Sequence, residues 1–196
     1  MPASPLAAVV LDALAADPDP QLDRAIGAGS AQRLRRELRA IARRWVAAAA
    51  PGNAFEATSA AAALMALHDH DGPVVLVAPD VPWLDALHID VVRADLAAGA
   101  AIVFGTAHDA SPYLLAFAAP ERDLLELTDA PFEQLLAAVR EREGGVGLAR
   151  HERRLVSAAD ARALAADPLA PAALVAHLGR LRAKRASNRP QTGEKE

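Results

Sequence analysis

Two aspartates in the middle of the chain stand where chemistry is easily built. Asp80 follows the apolar run Val74–Ala78 within Pro79-Asp80-Val81-Pro82, and Asp109 follows Ala101–Phe104 after Thr106 and His108. Short, continuously apolar and opened by Gly72-Pro73 and Gly99, both runs read as buried parallel strands. Ligands of open parallel sheets collect beyond the carboxyl ends of the strands. If these two strands are near neighbours, Asp80 and Asp109 can share one divalent cation, because two carboxylates with phosphate oxygens and waters make a sensible magnesium shell. Ordinary turn chemistry competes with that reading, since Asp is common at strand ends. His108 is the candidate general base, against a plain polar loop residue. Trp83 is either a wall that stacks on a base or sugar or a core side chain.

Other clusters have simpler readings. His68-Asp69-His70-Asp71 resembles a metal cluster on paper, but it sits where a helix should end, and successive residues there point different ways. Gly144-Gly145-Val146-Gly147 follows a helix and not a strand, so a helix stop and a turn into an edge strand fit better than a phosphate loop. Ser111 has no glycine elbow around it, which leaves an unrelated hydrolase-like domain as the last alternative. His151 lies in a charged segment and is expected to be exposed.

The elements that must position these residues follow from periodicity. Ala7–Leu11, Trp45–Ala49 and Tyr113–Phe117 read as further strands, the last antiparallel to Ala101–Phe104. A helix is expected from Ser30, with Leu34, Leu38, Ile41 and Trp45 recurring at spacings of three and four, and its arginines form a solvated face. Thr58 or Ser59 caps a second helix, reaching about His68. Asp85–Leu96 is a third, with Leu87, Val91 and Leu96 as its apolar positions, and Pro131–Arg142 a fourth. Ser157–Ala165 begins with a cap, and Pro171–Leu181 is the last. Strands and helices alternating at these lengths imply a mainly parallel sheet covered on both faces.

Composition narrows the classes. The 196 residues suit one α/β domain, expected over 1–181, with 182–196 a flexible polar tail. No cysteine occurs, so disulfides and thiolate metal sites are excluded. A net charge of −4 argues against general nucleic-acid binding. No apolar run is long enough to cross a bilayer, and the opening stretch lacks the basic start of a secretory signal, so a soluble cytoplasmic protein is expected. The only lysines are Lys184 and Lys195.

The stretch from Gly72 to Phe117 resembles the middle of a bacterial glycosyltransferase-like family of the nucleotide-diphospho-sugar transferase superfamily, related to the molybdenum-cofactor and phospholactate guanylyltransferases. Asp80-Val81-Pro82-Trp83-Leu84 is similar to the family's Asp-x-Pro-x-Leu segment, and Asp109 and Tyr113 match the ends of its Asp-Gly-Gly-Tyr-Tyr segment. Later, Arg153-Arg154-Leu155-Val156-Ser157 approaches a further family motif, with Ser157 where an Asp would stand. The resemblance implies a three-layer α/β sandwich with a mixed, mostly parallel GT-A-type sheet. It also implies a bound nucleotide or nucleotide sugar, and Mg2+ or Mn2+ held by Asp80 and Asp109. Arg24 would be the surviving phosphate contact, and Trp83, His108 and Tyr113 would line the acceptor side.

The departures lie at the phosphates. Where the family has a loop of Gly, Lys, Thr and Arg, Leu14–Arg24 keeps only Arg24 and carries three aspartates and two prolines. Prolines remove N–H donors, and the glycines after Asp109 are absent. Such a site should bind phosphates poorly. Two functions therefore stand side by side: a metal-dependent transferase, and a catalytically degenerate member of the same fold that serves as a binding or scaffolding protein. A homodimer or another protein partner is compatible with either.

Overall fold

The structure, a computed structural model, describes residues 5–141, 145–179 and 181. The tail expected over 182–196 and the expected helix end at Arg142 lie outside the described residues. Packing divides the chain into two compact units: residues up to Ala16 with Leu38–Arg154, and Asp17–Glu37 with the described residues from Leu155 on.

The first unit is built on a six-stranded sheet in the order β2-β1-β3-β5-β4-β6. Its strands are β1 (Ala7–Leu11), β2 (Ala54–Ala57), β3 (Val74–Val77), β4 (Ala100–Thr106), β5 (Pro112–Phe117) and β6 (Gly145–Leu148). β1 pairs in parallel with β2 and β3, and β4 with β6. β5 alone runs antiparallel, between β3 and β4. Strands β1 and β3 are buried at every residue, as their unbroken apolar runs require when helices cover both faces. The fold is α/β with a mixed, mostly parallel sheet, as expected. The strand anticipated after residue 144 is the edge strand β6.

Helices of this unit are the latter part of α2 (Ala28–Ala49), α3 (Ala60–Ala66), α4 (Ala86–Ala97), α5 (Arg122–Glu126) and α6 (Phe132–Arg140). Ser59 caps α3 and Asp85 caps α4, each accepting a backbone N–H of the first turn. α2 and α4 are tied by Trp45 Nε1, donating to Asp85 O at 2.7 Å, and by Arg93, donating to Ala49 O at 2.8 Å. The ring of Phe132 on α6 meets Phe104 edge-on at 5.3 Å.

Two expectations are corrected here. Trp45–Ala49 is the end of α2 and not a strand. Leu38, Ala42, Trp45, Val46 and Ala49 are the buried positions, at spacings of one, three and four, so a short apolar run had concealed a helical stripe. The missing strand is β2, whose alternating exposure suits an edge. In α4 the buried residues are His88, Ile89 and Val92, while Leu87 and Val91 are exposed.

The second unit contains α1 (Pro20–Ile26), the start of α2, α7 (Ala158–Ala166) and α8 (Ala172–Ala176). Asp19 caps α1 ahead of Pro20, whose missing N–H costs nothing at that position. Gly27, at φ 86°, ends it. Ser157 and Asp160 form a capping box on α7. α1 packs on α7 through a small buried core that includes Leu22, Ile26, Ala161 and Leu164.

Candidate functional site

Asp80 lies three residues beyond the carboxyl end of β3, held there because Ala78 N–H continues the β3–β5 pairing onto Tyr113 O at 2.8 Å. Asp109 lies in the β4–β5 turn, closed by Ala107 N–H on Ser111 O at 2.8 Å and Ala110 N–H on Ala107 O at 2.9 Å. Ala110 takes φ 64° in that turn, a left-handed conformation that costs a side-chain-bearing residue about 1–2 kcal/mol. Glycine would adopt that conformation without the cost.

Asp80 is bound by Arg154, and Asp109 is linked to the same guanidinium through Ser111. The Arg154 Nε–H is shared between both Asp80 oxygens, at 3.1 and 3.0 Å, and Nη1 donates to Ser111 Oγ at 2.8 Å. Nη2 donates to Leu14 O, in the 3-10 turn that follows β1. Asp80 Oδ2 also accepts Ala16 N–H at 2.9 Å. Ser111 turns its own hydroxyl and amide to Asp109 Oδ1, at 2.6 and 3.0 Å. Asp80 and Arg154 are buried and Asp109 is exposed.

Burial pushes the Asp80 carboxyl above the usual range, against the pull of the Arg154 charge and the Ala16 hydrogen bond. For Asp109, partial burial also pushes upward. The Ser111 hydroxyl and amide, with the Arg154 charge behind them, outweigh it and hold the carboxyl low. Arg154 pulls both acids down, but burial outweighs it at Asp80 and not at Asp109, so the two are moved in opposite directions.

Arg154 arrives on a strap that continues β6. Ala149 N–H donates to Phe104 O at 2.8 Å and Glu152 N–H to Thr106 O at 3.3 Å, extending the parallel pairing beyond the sheet. Period-two alternation then turns Arg150, Glu152 and Arg154 to one side. Arg150 pairs with Asp85 at 3.0 Å and with Glu152. Glu152 lies 3.4 Å from Nε2 of the buried His88. His88 Nδ1 meets Asp85 Oδ1 at 2.9 Å and Asp85 N–H at 3.2 Å, while Nε2 has no hydrogen-bond partner among the described residues.

Tyr113, expected on the acceptor side, is fully buried: it donates to Arg150 O at 2.8 Å and its ring stands edge-on to His88 at 6.0 Å. Burial first, and the Glu152 charge second, push its hydroxyl pKa up. Gly105 gives that ring its room, since a Cβ there would lie 2.8 Å from Tyr113 Cζ. Trp83 is half-buried and His108 exposed. Arg24 is exposed on α1, in the second unit. His151 is exposed, with Nδ1 at 3.0 Å from Thr106 Oγ1, and His68 is a solvated helix-end residue beside Asp69.

Sequence reasoning missed Arg154, His88 and the structural part of Ser111. The alternation of charge along Arg150–Arg154 was the available signal. Its partners, 74 and 140 residues away, were not readable from one sequence.

No protein-family model matches the chain, and no curated protein matches it in sequence. Among solved structures it is similar to a crystal structure from Desulfovibrio desulfuricans G20, of a protein carrying the provisional name nucleotide-diphospho-sugar transferase. The identity is 16%, the TM-score 0.63, and the match covers 91% of this chain and 96% of that one. At that identity the likeness is one of fold: the chain has a nucleotide-diphospho-sugar transferase-like α/β architecture.

Proposed function

We propose that this chain binds a nucleotide or nucleotide sugar beyond the carboxyl ends of β1, β3 and β4, as a glycosyltransferase- or nucleotidyltransferase-like protein. The observation that carries the reading is the likeness of fold over 91% of the chain, joined to the rule that open α/β sheets receive ligands at that end. Fold does not by itself dictate activity, so the site has to be tested as a site. In this reading His108 and Asp109 supply exposed polar groups on the β4–β5 turn, and Trp83 offers a ring for a base or sugar. Tyr113 acts from inside, fixing the Arg150 carbonyl. Arg24 is left out, because the proposed site is drawn from the first unit alone. The divalent ion expected on Asp80 and Asp109 is left out as well, since both Asp80 oxygens are engaged by Arg154 and one also by Ala16.

A second reading, a degenerate member of the fold kept as a binding or scaffolding protein, is favoured by that same engagement and by the absence of lysine before Lys184. A thermal-shift panel of nucleotides and nucleotide sugars, with and without Mg2+ or Mn2+, separates the two. A ligand at a hundred times its Kd adds about 2.7 kcal/mol, or roughly 5–10 °C for a chain of this size. The first reading expects such a rise, with amide shifts at Ala16 and Ser111 in the NMR spectrum. No rise across a millimolar panel would sink it and leave the second.

A further inference from the structure

The groups around Arg154 have a shared chemistry. A carboxylate from Asp80, a backbone carbonyl from Leu14 and a hydroxyl from Ser111 all turn their oxygens to one guanidinium. Hard divalent cations draw on just such oxygens, and Mg2+ in particular asks for near-octahedral geometry with little tolerance. An arginine asks for the same oxygens in a plane, carries a charge that is never titrated away, and is less strongly hydrated than a metal ion or an ammonium.

We infer that Arg154 holds the place a divalent cation would take, so that Asp80, Ser111 and Asp109 are organised without metal and this end of the sheet does not bind Mg2+ or Mn2+. Four considerations converge on this. Asp80 is buried, and both its oxygens already accept from Arg154 and one also from Ala16, so a cation would have to compete with those bonds. Asp109 has its Oδ1 committed to the Ser111 hydroxyl and amide. A dication near Asp80 would also stand within one side chain's reach of a fixed positive charge of the same sign, with little water between to screen it. Among the described residues, moreover, no three His, Asp or Glu side chains group as a metal shell would need. Arg154 touches no reacting atom in this account; it is a positioning residue.

The inference stands apart from the proposed ligand, because metal alone is the probe. Mn2+ is titrated into the full chain, following both the free-ion EPR signal and the paramagnetic broadening of the Ala16 and Ser111 amides. The wild-type protein should show no selective broadening of those amides at 1:1 metal. Arg154→Ala removes charge and bulk together, and should bind Mn2+ at least tenfold more tightly than wild type, with Ala16 and Ser111 broadened first. Arg154→Lys retains a positive charge and should behave as wild type. Asp80→Asn combined with Arg154→Ala should lose the new site again. A merely structural arginine would not create a metal site on removal. Selective broadening of Ala16 and Ser111 in the wild-type protein at 1:1 metal would overturn the inference, whatever the variants do. So would a folded Arg154→Ala protein that gains no Mn2+ affinity. If Arg154→Ala does not fold, the wild-type titration alone decides. A failed nucleotide screen leaves every one of these outcomes unchanged.

Discussion

Two of the arginine–carboxylate networks in the first unit are made of the same groups and invite comparison. On α2, Arg39 pairs with Asp12 and, at 3.5 Å, with Glu56, which Arg43 also reaches at 2.7 Å. On the strap, Arg154 pairs with Asp80. The contrast is in the surroundings: the Arg39 and Arg43 side chains are 34% and 55% exposed and that of Arg154 only 4%. Exposed pairs trade water for protein at little gain. A buried pair has already lost its water, so each partner depends on the other, and removing one strands a charge. The second network also binds three stretches of chain that lie far apart in sequence, at Leu14, Asp80 and Ser111. The first links α2 to two neighbours that each keep access to water.

The largest expected effect follows directly. Arg154→Met keeps apolar volume while stranding Asp80, and should cost about 3–5 kcal/mol at neutral pH. That corresponds to a fall of roughly 10 °C in Tm. The loss should depend on pH in a definite direction. Burial already holds the Asp80 carboxyl above its usual value with Arg154 present; removing that charge raises it further. An acid whose pKa is higher folded than unfolded keeps its proton better when folded. Its contribution is therefore intact below the unfolded value, about 3.9, and is lost as pH rises through the folded one. Urea denaturation at pH 4 and pH 7 should show the gap between variant and wild type widening with pH. An equal gap at both would mean that Asp80 is not the residue left stranded.

Sequence made the scaffold of this network legible and hid its centre. Ala7–Leu11 is β1 as expected, and Val74–Ala78, Ala101–Phe104 and Tyr113–Phe117 each fall within a residue or two of their strands, because buried strands leave short unbroken apolar runs. Ser59 and Ser157 cap as expected, since capping is settled within three or four residues. Asp80 and Asp109 could likewise be put at strand ends. Trp45–Ala49 failed because five apolar residues look alike in a buried strand and on a helical stripe. β2 escaped because an edge strand alternates weakly. Arg154 escaped for another reason: its function is set by residues that only the folded chain brings near. A local pattern shows which side a charge faces, and long-range packing decides what it meets there.

A smaller effect separates the strap's charges from its backbone anchor. Tyr113→Phe removes the hydrogen bond to Arg150 O and nothing else of size, and should cost about 1 kcal/mol. The Tyr113 hydroxyl pKa is pushed up by burial and by Glu152, so it stays protonated in the folded chain as the solution becomes alkaline. The gap between variant and wild type should be flat from pH 7 to about pH 10. It should then close, because only wild type has a buried phenol that resists ionisation while the unfolded chain ionises freely. A loss near that of Arg154→Met would assign the strap's hold to its backbone and weaken the contrast drawn above.

The smallest effect belongs to the exposed network and bears most directly on the comparison. Arg39→Ala leaves Asp12 in contact with water and Glu56 still paired with Arg43. No charge is stranded, and the expected cost is below about 1 kcal/mol. Whatever cost there is should shrink in 1 M NaCl, where the screening length is about 3 Å and solvent ions do the work of the missing arginine. The Arg154→Met loss should change much less across the same salt range, because ions cannot approach a side chain that is 4% exposed. Parallel denaturation curves for the two variants at low and high salt therefore compare the networks in one experiment. If Arg39→Ala proved as costly and as insensitive to salt as Arg154→Met, burial would not be what divides them. The dividing factor would then have to be sought in how firmly each arginine ties α2 or the strap to the sheet.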